Sequence, residues 1–116
     1  MDVALCEVYS LLSRLGLSAN YAGFRQAAVA IQLAVQNPDY LILVSKRLYP
    51  EVANQFHTTW QCVERNIRTL VQHVWKTRPE AISAIAQWPK DQKPTASQFI
   101  ALMASYFLKF SSLKGL

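Results

Sequence analysis

Gln61, Arg65, Arg68 and Gln72 recur at intervals of four, three and four residues, the spacing that gathers side chains on one side of an α-helix. Cys62, Glu64 and Thr69 flank them. This set has the chemistry of major-groove readout: arginine can fork onto guanine O6 and N7, glutamine can pair with adenine, and glutamate can accept from cytosine N4. Just ahead, Thr58 and Thr59 offer hydroxyls and helix-start N–H groups to a phosphate. A plainer account covers part of the set. Glu64 and Arg68 stand at i, i+4, which also suits a solvated ion pair worth roughly 0.2–0.5 kcal/mol.

The elements that must position this face are legible around it. Val63, Ile67, Leu70 and Val74 repeat at i, i+4, i+7 and i+11 and predict a helix whose opposite side meets a core. Thr58-Thr59-Trp60-Gln61 reads as a capping box with Thr58 at the cap, and Arg78-Pro79 ends the helix near Thr77. Upstream, Pro50 suits the first position of a short helix, with Glu51 in its first turn and Val52, Ala53 and Phe56 on its buried side. A short helix, a turn of about four residues and a longer helix form a helix-turn-helix pattern.

Helical periodicity continues through the rest of the chain. Asp2 is a candidate cap for a first helix carrying Leu5, Val8, Leu12 and Leu15, closed by a left-handed Gly16. Phe24, Ala27, Ala28, Ile31, Ala34 and Val35 share a stripe on a second helix, which Asn37-Pro38 stops. The apolar stretch within Tyr40 to Leu48 could be a strand by composition, but it would have no partner strand, so a helix is expected. A short helix from Pro79 to about Gln87 precedes a loop at Trp88–Pro94. Thr95 and Gln98 form a second capping box, opening a last helix with Phe99, Met103, Tyr106 and Phe110 on one face. The expected architecture is all-α, a compact bundle of about six helices in a single domain over residues 1–116.

Composition narrows the class further. Hydrophobic residues reach 52% and charged ones 16%, with three glycines and five prolines in 116 residues. Such a chain can bury a core and is poor in turn formers, against disorder and against a turn-rich β-sandwich. Two cysteines make no disulfide framework, as expected for a reducing compartment. The most apolar run, Ala27–Val35, is broken by Gln32 and falls short of the ~20 residues that span a bilayer. The first residues lack the basic start of a signal peptide, with Glu7 where its apolar stretch would lie. The expectation is a soluble, cytoplasmic protein with no membrane partner. Residues 1–57 are electrically balanced, so the whole net charge of +5 lies in the second half, a distribution suited to a polyanionic partner.

Other chemistry finds little support. His57, His73, Cys6 and Cys62 form no zinc spacing. Cys62 has no orienting pair for nucleophilic catalysis, and Gly16, Gly23 and Gly115 make no phosphate loop. No enzyme activity, metal or cofactor is expected. Trp60 and Trp75 are read as packing residues on or beside the core stripe, and Trp88 as a loop residue that could be exposed.

Leu48-Tyr49-Pro50-Glu51-Val52-Ala53, Phe56-His57-Thr58-Thr59, Val63-Glu64-Arg65-Asn66-Ile67-Arg68 and Trp75 resemble the C-terminal effector domain of the stage zero sporulation protein A family. Lys93-Pro94-Thr95-Ala96-Ser97-Gln98-Phe99-Ile100-Ala101 is similar to the start of that family's last helix. The resemblance covers nearly the whole chain in one register. It implies the DNA-binding domain of a sporulation response regulator of endospore-forming bacteria. Such a domain binds TGTCGAA-like boxes, often as tandem copies, and contacts RNA polymerase. Glu64 and Arg65 match the family's base-reading pair, and Arg68 a basic position one turn on. Cys62 stands where the family usually has arginine, and Thr69 where it commonly has histidine. The segment that the family presents to the polymerase sigma subunit here reads Lys76-Thr77-Arg78-Pro79-Glu80. The family's phosphate-receiving domain has no counterpart in this sequence, so the chain is expected to be an excised effector domain or a stand-alone relative.

Two functional readings follow. One is a sequence-specific double-stranded DNA-binding transcription module. The other is an all-helical protein-interaction domain that keeps the fold but has lost operator recognition, which Cys62 in place of a base-reading arginine favours.

Overall fold

The computed structural model describes residues 3–114, with side chains described as far as Leu108. The expected cap Asp2 and the side chain of Phe110 lie outside them. Six α-helices follow in order: α1 (Leu5–Arg14), α2 (Phe24–Gln36), α3 (Tyr49–Gln55), α4 (Trp60–Thr77), α5 (Pro79–Ile85) and α6 (Ala96–Lys114). No strand occurs among the described residues. The Cα radius of gyration, 13.2 Å, is that of a chain of this length folded into one globule.

α2 is the central element. Five consecutive residues, Ala27 to Ile31, are buried, as expected of a helix surrounded by packing partners rather than lying on a surface. It contacts α1, α3, α4 and α6. Its alanines let those neighbours approach closely. Val8, Leu12 and Leu15 from α1 and its end, Val63, Ile67, Leu70 and Val74 from α4, and Phe99, Ile100 and Met103 from α6 complete one continuous core.

Local signals set most boundaries. Gly16 has φ +84°, and the N–H groups of Gly16 and Leu17 return to the carbonyls of Ser13 and Leu12 at 3.0 and 3.2 Å. This is the left-handed closure that a residue without Cβ allows cheaply. The Thr95–Gln98 box forms as expected: the Gln98 N–H donates to Thr95 Oγ1 at 3.2 Å, and Gln98 Oε1 accepts from the Thr95 N–H at 2.9 Å.

Three expectations are corrected. Tyr40–Leu48 is not α-helical: a 3-10 turn covers Pro38–Leu41 and a single π-helical turn Val44–Leu48. Ile42 stays 76% exposed, so the apolar run between the turns is not a core segment. Trp60 is 39% exposed; it occupies the first position of α4, where it lies outside the buried stripe. Trp88 is half-buried rather than exposed; its Nε1 donates to the Gln92 carbonyl, and the Ser83 hydroxyl donates to the Trp88 carbonyl.

Candidate nucleic-acid interface

Phe56 to Thr59 separate α3 from α4. His57 takes φ 54°, so the left-handed position usual for glycine is held by a side-chain-bearing residue at a cost of ~1–2 kcal/mol. The Thr58 N–H donates to the Ala53 carbonyl at 3.0 Å, closing the end of α3. Thr58 is thereby committed to the turn, and the cap of α4 falls one residue later than expected. Thr59 is extended, and its Oγ1 accepts from the Cys62 N–H at 3.2 Å. The third helical position holds Cys62, so the reciprocal box with Gln61 does not form.

From this cap α4 carries Val63, Ile67, Leu70, Val71 and Val74 into the core. Gln61, Arg65, Arg68, Thr69 and Gln72 are exposed on its other side; Cys62 and Glu64 are half-buried along the edge, as is Thr58 in the turn, while Thr59 is exposed. All nine residues therefore lie in the turn and the first four turns of one helix.

Their contacts are few and local. Arg65 Nη2 donates to Cys62 Sγ at 3.5 Å. Arg68 Nη1 lies 3.4 Å from both carboxylate oxygens of Glu64, so the ion pair anticipated from spacing exists at the surface, where such pairs add little stability. The Thr69 hydroxyl donates to the Arg65 carbonyl at 3.0 Å. Hydrogen bonds from the Thr59 and Thr58 hydroxyls, with the nearby Arg65 charge, lower the Cys62 thiol below its ordinary pKa.

Tyr49 is a participant that the spacing did not single out. It is buried in α3, and its hydroxyl has no hydrogen-bond partner. Burial raises the phenol's pKa well above the ordinary tyrosine range, and the Glu64 charge raises it further. The available signal was a polar atom among Leu48, Val52 and Ala53, all apolar and all buried.

Elsewhere, His73 is taken up by the Tyr21 hydroxyl, 2.7 Å from its Nε2. Cys6 and Cys62 are both free thiols. Lys76, Thr77, Arg78, Pro79 and Glu80 are all exposed where α4 gives way to α5.

Residues 8–107 match the family model described as sporulation initiation factor Spo0A C terminal. The chain belongs to that family. The matched span begins in α1 and ends in α6, so it contains the whole helix-turn-helix. The Spo0A C-terminal family is a DNA-binding effector domain of a sporulation regulator, not an enzyme family. No helix among the described residues is long and apolar enough to cross a membrane.

Proposed function

We propose that this Spo0A C-terminal relative recognises specific double-stranded DNA sequences by laying the first turns of α4 in the major groove. The observation that carries this reading is the exposed row Gln61, Arg65, Arg68 and Gln72, opposite a fully buried stripe on the second helix of a helix-turn-helix. That geometry presents side chains near the start of a recognition helix to base edges. Arg65 forks onto a guanine, Glu64 accepts from a cytosine, and Arg68 leaves Glu64 to meet a base or a phosphate. Thr58 and Thr59 meet the backbone at the helix start. Cys62, a short and weak donor, leaves a gap in the readout that Gln61 fills by pairing with adenine.

In the same reading the exposed Lys76–Glu80 corner meets the RNA polymerase sigma subunit, and tandem boxes place a second copy alongside. Selection from a random duplex pool tests the proposal. An enriched motif, with affinity falling steeply as added salt opposes the counterion release that accompanies phosphate contact, supports it. Absence of enrichment, with no binding at low salt, supports the second reading, a protein-interaction domain without an operator.

A further inference from the structure

The side of α4 that meets the start of α2 is not held by apolar packing alone. Gln26 is the only buried polar residue among the described residues, and its Oε1 accepts from Asn66 Nδ2 at 3.1 Å. Gly23, immediately before α2, lies so close to α4 that a Cβ there would stand 2.5 Å from the Asn66 carbonyl oxygen and 3.2 Å from Leu70 Cγ. Tyr21 reaches His73 through its hydroxyl at 2.7 Å, with the rings tilted and their centroids 4.6 Å apart. The receiving positions, Asn66, Leu70 and His73, follow i, i+4, i+7 and form one stripe. All the partners come from residues 21–26.

Apolar packing tolerates small rotations of a helix, losing uniqueness before it loses stability. A directional amide pair does not, because turning away strands a buried polar group. The consequence at the surface is large. A rotation of about 10° moves a side-chain atom ~6 Å from the helix axis by about 1 Å, enough to spoil a bidentate base contact.

We propose that Gln26, Asn66 and Gly23 are positioning residues for base recognition, fixing the rotation of α4 and so deciding which of Gln61, Arg65 and Arg68 faces the bases. Gln26 and Gly23 are buried beneath α4, and all three act through the side chains they orient. The inference rests on the DNA-reading function proposed above.

The test uses Gln26→Leu, Asn66→Leu and the double variant of the full chain. Each is measured for thermal unfolding and for affinity to two duplexes: the one the wild type selects from a random pool, and a scrambled copy. Asn66→Leu should unfold at lower temperature because it strands the buried Gln26 amide, and Gln26→Leu should lose less because half-buried Asn66 can turn its amide to water. The double variant should recover most of that loss, since replacing both partners by apolar groups is close to neutral. Its preference for the selected duplex should nevertheless fall on the order of tenfold, with scrambled-duplex affinity within about twofold of wild type. Recovered stability together with a wild-type preference overturns the inference and leaves the DNA-reading function standing. A wild type that selects no sequence overturns both. If the double variant does not fold, Gln26→Met takes its place, because half-buried Asn66 can then turn its amide to water. A reduced preference in that variant supports the inference, and a wild-type preference overturns it.

Discussion

Arg65 lies over Cys62, its Nη2 donating to the thiol sulfur at 3.5 Å. Sulfur is a weak acceptor, so this contact orients the guanidinium without holding it against a stronger partner. Arg68, one turn further on, must first leave Glu64, 3.4 Å away. The two arginines of the exposed face are thus unequally ready to meet a base, and Arg65 is the freer.

Arg65→Ala should therefore cost about 1–3 kcal/mol on the preferred duplex and relax specificity at the base pair it contacts. Lys90→Ala, in the exposed loop before α6, should change affinity little. Titrating both variants against the selected duplex compares them directly. Equal losses would mean that another element enters the groove.

Cys62→Arg should bind a TGTCGAA box on the order of tenfold tighter than the wild type, because it supplies a guanine contact that a thiol cannot make. It should also discriminate more sharply against a copy with the affected guanine replaced. Unchanged affinity and discrimination would show that residue 62 faces away from the bases, and the reading face of α4 would have to be rotated.

The lowered Cys62 pKa gives a footprint that needs no mutation. More of this thiol is thiolate at neutral pH than in an ordinary cysteine, and thiolate is the reactive form. Alkylation at Cys62 should stay fast at pH values where an ordinary thiol has slowed, and should decline only as pH falls through the lowered pKa. Bound duplex should protect Cys62 while leaving exposed Cys6 on α1 reactive. Protection of neither thiol, read by peptide mass spectrometry at saturating DNA, would place the interface elsewhere.

Tyr49→Phe should raise stability by about 1 kcal/mol, since it removes a buried hydroxyl that has no partner. The pH dependence has a definite sign. The folded phenol's pKa is raised, so the unfolded chain ionises first, and wild-type stability should fall as pH rises beyond about 10. Denaturant unfolding at neutral and alkaline pH checks both statements. The variant should be the more stable at each, and should lose less between them.

The sequence by itself determined the six α-helices and the polar face of α4. The stripe Val63, Ile67, Leu70 and Val74, the Gly16 closure and the Thr95–Gln98 box are signals carried within a few residues, and helix formation reads them locally. Because the apolar side of α4 was visible, its polar side was visible too, and all the chosen positions from Gln61 to Gln72 stand on or beside it. Tertiary structure decided what local signals left degenerate. Thr58 and Thr59 are equivalent as caps until the closure of α3 engages the Thr58 N–H, moving the cap to Thr59. Ile42 and Leu43 are apolar enough for a core, yet the turns at Pro38–Leu41 and Val44–Leu48 leave them exposed. Gln26 meets Asn66 across 40 residues, and the Tyr49 hydroxyl is buried without a hydrogen-bond partner. Contacts of that kind have no period along the chain; they exist only once separate helices have packed, and the rotation of α4 is fixed there.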